Sequence, residues 1–131
     1  MARILDWFKE AKEDLKSAKI LAKSGQYHHA CFHAQQAAEK AVKAALLHFH
    51  VAKFGHSILK LLEELKKYVE VSEEIVDFAK TLDQYYIPSR YPNVFDKGTP
   101  SEYYSKRHAE EALKMAEQVI KFVEKIIGTH N

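Results

Sequence analysis

The strongest constraint on the fold is a 27-residue segment, 27–53, that contains eight alanines and neither proline nor glycine. Alanine favours the helix more than any other residue, whereas proline and glycine interrupt it. We therefore predict one helix about 40 Å long, at about 1.5 Å per residue, which Gly55 ends. Because its alanines lie on several faces, other helices can approach it closely, and it is predicted to be the centre of the domain.

Four other segments carry apolar residues at the alternating steps of three and four that are typical of amphipathic helices. The last has the clearest start, because residues 99–102 read Thr-Pro-Ser-Glu, a capping box with proline at the first helical position. No segment shows the period-two alternation of a β-strand. The sequence predicts an all-α fold, an up-and-down bundle of four to five antiparallel helices in a single domain, 1–131. The four segments are about 4–24, 57–68, 72–82 and 99–127.

Charge and hydropathy exclude several classes of protein. Twenty basic and 18 acidic residues are mixed along the chain, and the formal net charge is only +2, which argues against generic DNA binding. The single cysteine, Cys31, lies in an apolar run and is predicted to be a buried, unreactive thiol in a reducing compartment. No signal peptide and no apolar run of membrane-spanning length are recognisable, so we expect a soluble cytoplasmic protein.

The stretch 86–98, which precedes the last helix, is the only long irregular part of the sequence, and scarce residues gather there. Two of the three arginines, Arg90 and Arg107, lie in it or close to it, as do five of the seven tyrosines. Guanidinium groups bind phosphates and aromatic rings stack on bases, so the stretch is a candidate nucleotide site. Alternatively, the tyrosines brace the stretch against the bundle and Arg90 pairs with Asp83 or with a backbone carbonyl. The five tyrosines are Tyr85, Tyr86, Tyr91, Tyr103 and Tyr104.

Four polar residues form a ridge along the alanine-rich helix: His29, His33, Gln36 and Lys40, at steps of four, three and four. The ridge is either a wall that faces a nucleotide or RNA, or a face that contacts solvent or a second copy of the chain. His29 and His33 also have the spacing of zinc ligands on a helix, but no glutamate lies between them and no third ligand follows from the spacing. No metal site is therefore predicted.

Three parts of the sequence together carry a family resemblance. They are the segment 27–44, which reads Tyr-His-His-Ala-Cys-Phe-His-Ala-Gln-Gln-Ala-Ala-Glu-Lys-Ala-Val-Lys-Ala, the tripeptide Gly-His-Ser at 55–57, and Tyr-Ile-Pro-Ser-Arg-Tyr-Pro at 86–92. In this order they resemble the signature of the HEPN domain, over nearly the whole chain. The resemblance implies a bundle of four to five helices that commonly forms a dimer. It also implies a gene often placed beside a minimal nucleotidyltransferase, as in toxin–antitoxin pairs.

Many members of that family are metal-independent ribonucleases, marked by an arginine that is followed, after four to six residues, by a histidine. This sequence departs from that pattern, because no histidine stands at the required distance after Arg3, Arg90 or Arg107. The resemblance without this motif favours a non-catalytic module that needs no cofactor. We expect a homodimer that binds a nucleotide or RNA and acts with a separate minimal nucleotidyltransferase.

The residues predicted to bind the ligand are those of the irregular stretch and the ridge. Two alternatives stay open at this point. One is a divergent ribonuclease in which folding brings Arg90 to His29 or His33, and the other is a purely structural, dimeric interaction protein. The predicted ligand-binding residues are Arg90, Tyr91, Tyr86, His29, His33, Gln36 and Lys40.

Overall fold

The computed structural model of the chain describes residues 2–86 and 97–128, and all regular structure in these ranges is helical. Five helices of eight or more residues and one single-turn helix form the bundle, which confirms the predicted all-α fold. In this part of the chain, no helix is both long and apolar enough to span a bilayer. The helices are α1 (Ala2–Lys23), α2 (Tyr27–His48), α3 (Ile58–Leu65), α4 (Glu73–Asp83), α5 (Pro100–Tyr103) and α6 (Lys106–Ile127).

Helix α2 lies at the centre of the bundle, as predicted, and packs against α1, α3, α4, α5 and α6. Seven of its alanines are almost completely buried. A methyl side chain lets the backbones of neighbouring helices approach closely, so alanine on several faces suits a helix that is surrounded by others. The buried alanines are Ala30, Ala34, Ala37, Ala38, Ala41, Ala44 and Ala45.

Helix α2 ends at His48, so the prediction that it continues to residue 53 and is ended by Gly55 was wrong. His50 has a positive φ of 64° and takes the left-handed position after the helix that glycine usually occupies. The backbone N–H of Val51 donates to the carbonyl of Leu46, as in a Schellman motif. A histidine in this role leaves no glycine signal in the sequence, which is why the helix end was missed.

The predicted single helix from residue 99 is divided into α5 and α6. The predicted capping box at 99–102 was also wrong. The side chain of Thr99 makes no capping hydrogen bond. The capping box is formed instead by Ser105 and His108, each of whose side chains meets the backbone N–H of the other residue. Histidine replaces the usual glutamate here, and the pattern is harder to recognise. The end of α6 at Gly128 agrees with the prediction.

The carboxylate of Asp83, the last residue of α4, caps the start of α3. It accepts hydrogen bonds from the backbone N–H groups of Ile58 at 2.8 Å and Leu59 at 3.0 Å, and from the Ser57 hydroxyl at 3.1 Å. A negative charge is favourable at a helix N-terminus, where N–H groups lack partners in the helix. The interaction fixes the segment just before α3. Arg90, the suggested partner of Asp83, lies outside the described residues.

Candidate functional site

A buried carboxylate, that of Glu39 in the middle of α2, is the centre of a polar cluster. Its side chain is only 3% exposed, and Lys43 Nζ lies 2.9 Å from its Oε2. The side-chain amides of Gln35 and Gln36 donate to Oε1 at 3.4 and 3.3 Å. A buried charge is tolerated when it is paired and hydrogen-bonded, and Glu39 satisfies both conditions. Its position is therefore closely defined.

The imidazole of His56, in the segment before α3, faces this carboxylate. Its Nδ1 lies 3.3 Å from both carboxylate oxygens of Glu39, and its side chain is 57% exposed. The backbone carbonyl of His56 accepts a hydrogen bond of 2.9 Å from the Gln35 amide. Because a carboxylate only accepts, the contact requires a proton on Nδ1, and Nε2 is then the ring nitrogen that does not contact Glu39. The ring and its backbone are thus both held by α2.

An aromatic platform, formed by the rings of His56 and Tyr86, covers one side of the cluster. The two rings are nearly parallel, with centres 4.6 Å apart and an angle of 16° between their planes. The ring of Phe32 lies 6.0 Å from that of Tyr86 and connects the platform to α2. Tyr86 directly precedes residues 87–96, which contain Arg90 and Tyr91. These two predicted site residues lie outside the described part of the chain.

Two residues of the predicted ridge, His33 and Lys40, contact Asp14 of α1. His33 Nδ1 lies 3.4 Å from Asp14 Oδ1, and Lys40 Nζ forms an ion pair of 2.7 Å with Asp14 Oδ2. Burial raises the pKa of Asp14, but the interactions with His33 and Lys40 outweigh it, so the pKa lies below its ordinary value. This part of the ridge therefore joins α1 to α2.

The other two ridge residues have different surroundings. Gln36 belongs to the Glu39 cluster, where its amide also donates to Gln35 Oε1 at 2.8 Å. His29 is exposed, and its ring centre lies 4.0 Å from that of His28. None of the described contacts joins His29 to the Glu39 cluster. In the ranges 2–86 and 97–128, no group of three or more histidine, cysteine, aspartate or glutamate side chains is arranged to hold a metal ion.

The tyrosines near the irregular stretch do not all have one role. Tyr85 and Tyr104 are partly buried and meet edge to face, with ring centres 5.7 Å apart. Burial raises the pKa of both hydroxyls to about 12. The hydroxyl of Tyr103 donates to the backbone carbonyl of Lys97. These three tyrosines thus contact described residues on either side of 87–96, whereas Tyr86 belongs to the platform.

Sequence reasoning missed four members of the site: Gln35, Glu39, Lys43 and His56. The first three share a face of α2 because they follow one another at steps of four, and two charged residues on such an alanine-rich face were a usable signal. The role of His56 depends on how the segment before α3 folds back onto α2. A histidine near a helix end gave no reason to expect that contact.

The comparisons with known proteins agree on one family. A family model described as the HEPN domain matches residues 4–126. Among curated proteins, putative toxin MJ1304 from Methanocaldococcus jannaschii is 32% identical over an alignment of 126 residues, which covers 89% of this chain and 83% of that protein. The match covers most of both proteins, so the similarity concerns most of the domain.

Solved structures give the same result at higher identity. TT1696 from Thermus thermophilus is 44% identical, with a TM-score of 0.94, and the match covers 96% of this chain and 99% of that one. ST0689, described as an archaeal HEPN homologue, is 40% identical with a TM-score of 0.82, covering 97% and 99%. A HEPN domain protein from Thermotoga maritima, tm0613, is 35% identical with a TM-score of 0.77, covering 95% and 98%.

Proposed function

The chain belongs to the HEPN domain family, and we propose that it binds a nucleotide or RNA at the platform of His56 and Tyr86. The observation that carries this proposal is the stacked pair of rings, of which His56 contacts the buried Glu39 carboxylate. In this proposal the protein is a homodimer and acts with a separate minimal nucleotidyltransferase, as one half of a toxin–antitoxin pair. The toxin-like relative from Methanocaldococcus jannaschii supports that context.

The platform has the features that a site for unpaired bases needs. Aromatic faces stack on any base, and each stacked base contributes about 1–3 kcal/mol. The Nε2 atom of His56 can form a hydrogen bond with a ligand, and the ammonium group of Lys43 lies 2.9 Å from the same carboxylate that holds His56. Because Lys43 pairs with Glu39, the carboxylate behind the platform is neutralised and does not repel a ligand phosphate.

The predicted residues Arg90 and Tyr91 fit this proposal by their place in the chain. They follow Tyr86 by four and five residues, so the covalent chain limits their distance from it to about 18 Å. A guanidinium group binds phosphate with two parallel hydrogen bonds, which an ammonium group does not. We assign Arg90 to the ligand's phosphate and Tyr91 to stacking.

Titration of ATP, GTP and a short RNA onto the wild-type protein and three variants tests the proposal. Tyr86→Ala should weaken binding about tenfold, by loss of one stacking face, and Arg90→Ala should weaken it as well. Tyr68→Ala is the matched control, because the ring of Tyr68 is also stacked on another ring, that of Phe49 at 5.1 Å, but lies at the opposite end of α3. Binding that is undetectable in the wild type, or equal in Tyr86→Ala and Tyr68→Ala, contradicts the proposal.

A divergent ribonuclease is the second candidate function, and one observation favours it. A buried carboxylate that orients an exposed imidazole is the arrangement of a general acid–base pair, and Glu39 and His56 have it. His33 makes a similar contact with Asp14, but its side chain is less exposed, 34% against 57% for His56. RNA cleavage that persists in EDTA and is lost in His56→Ala, but not in the control His50→Ala, would support this function. Intact RNA at high protein concentration would count against it.

A further inference from the structure

A cavity between the start of α1 and the middle of α2 is not used by the site described above. Its volume is about 320 Å³, and Trp7, the only tryptophan of the chain, forms part of its wall. A volume near 300 Å³ is at the lower end of the range for small-molecule sites, which suits one nucleoside. The other residues that line it are Arg3, Asp6, Glu10 and Lys40.

Lys43 connects this cavity to the platform. Its Nζ lies 5.5 Å from the centre of the Trp7 ring and 2.9 Å from Glu39 Oε2. His56 Nδ1 lies 3.3 Å from the same oxygen. The centre of the Trp7 ring and His56 Nδ1 are therefore at most about 12 Å apart. Stacked nucleotides rise about 3.4 Å each, and extended ones rise more. A strand of about four nucleotides or fewer therefore spans the distance.

The charges of the cavity favour a base over a phosphate. Arg3 is paired with Asp6 at 3.5 Å, Lys40 is paired with Asp14 at 2.7 Å, and Glu10 adds a negative charge, so no net positive charge is left for an anion. The indole face can stack on a base. Carboxylates accept hydrogen bonds from the exocyclic amino groups of adenine, cytosine and guanine, which uracil lacks.

From these contacts we infer that the cavity at Trp7 is a second base-binding subsite, which receives an amino-bearing base of an RNA strand while another nucleotide of the same strand stacks on His56 and Tyr86. The inference rests on the proposed function of the platform. It makes the ligand a short single strand instead of a mononucleotide.

The fluorescence of the single tryptophan reports on the subsite directly. We expect tetra-adenylate to quench Trp7 fluorescence and to bind at least tenfold more tightly than AMP, while AMP leaves the fluorescence unchanged. In Trp7→Leu, the affinity for tetra-adenylate, measured by calorimetry, should fall to that for AMP. The affinity for AMP itself should stay as in the wild type, because AMP occupies only the platform.

A second variant tests the specificity at exposed positions that do not hold the core together. Wild-type protein should prefer tetra-adenylate to tetra-uridylate, and the double variant Asp6→Asn/Glu10→Gln should lose most of that preference. This outcome is independent of whether Trp7→Leu folds.

The failure of the subsite and the failure of the proposed function give different results. Tetra-adenylate that binds in a Tyr86-dependent manner, but leaves Trp7 fluorescence and the affinity of Trp7→Leu unchanged, overturns the subsite alone. Absence of any Tyr86-dependent binding overturns the proposed function, and the subsite with it.

Discussion

Replacing Glu39 by glutamine should destabilise the protein more than its small change in shape suggests. The two side chains have the same size, so no cavity is created. However, the ammonium group of Lys43 loses its counter-ion, and the Lys43 side chain is only 11% exposed. Removing one partner of a buried ion pair costs about 3–5 kcal/mol, and Lys43 is near enough to the surface for the lower end, about 3 kcal/mol, to apply. For a chain of this size, that corresponds to about 10 °C in Tm.

Urea denaturation monitored by circular dichroism measures this cost, provided that the m-value stays constant. The double variant Glu39→Gln/Lys43→Met removes the stranded charge and should recover at least about 2 kcal/mol of the loss, because apolar replacement of a buried pair is often neutral. The matched control is Glu111→Gln, which breaks the exposed ion pair with Arg107 and should cost less than about 1 kcal/mol. Our reasoning is refuted if Glu39→Gln costs no more than the control, or if the double variant is no more stable than the single one.

Three further predictions concern other parts of the bundle. Asp83→Ala removes the cap of α3 and should lower the free energy of unfolding by about 1–2 kcal/mol, measured by urea denaturation. The control is Asp77→Ala, at an exposed position, which should leave the stability unchanged. Equal losses in the two variants would contradict the capping role. The pKa of Asp14 is lowered in the folded state. The ionised Asp14 side chain therefore contributes fully to stability above about pH 4, the pKa range of an unfolded aspartate. This contribution is lost as the pH falls through the lower pKa of the folded state. The stability difference between wild type and Asp14→Asn should therefore shrink only below about pH 4, and a difference that already shrinks between about pH 6 and pH 5 would contradict this. Burial raises the pKa of Cys31 to about 12. Iodoacetamide at about pH 8 should therefore modify the thiol in urea but not in the native protein, which mass spectrometry can determine. Rapid labelling of the native protein would contradict this prediction.

The bundle was predictable because its main signals are local. The run of alanines in α2 and the apolar steps of the flanking segments depend only on nearby residues, and they indicated the helices correctly. The errors occurred where a residue takes an unusual role. His50 occupies the left-handed position after α2, and His108 takes the place of glutamate in the capping box of α6. Each role depends on backbone geometry that a helix pattern does not reveal.

The site was harder to predict because it depends on contacts between distant parts of the chain. Glu39 and His56 are 17 residues apart, and His56 reaches Glu39 only because Gln35 holds its carbonyl and Asp83 fixes the start of α3. The ridge was recognisable from its spacing, but spacing could not show that His33 and Lys40 face Asp14. Of the predicted residues with described side chains, Tyr86 and Gln36 are the two that the fold brings to the Glu39 cluster and its platform.

Photo-crosslinking tests the central claim, that RNA binds at the platform, most directly. A short RNA that carries a photoreactive base is irradiated with the wild-type protein, and the modified peptides are identified by mass spectrometry. We predict crosslinks at Tyr86 and His56, reduced by an excess of unmodified RNA. A larger cavity, about 890 Å³, is lined by residues 66–72 and Phe122 at the other end of α3. Crosslinks confined to that cavity, with none at Tyr86 or His56, would contradict the account.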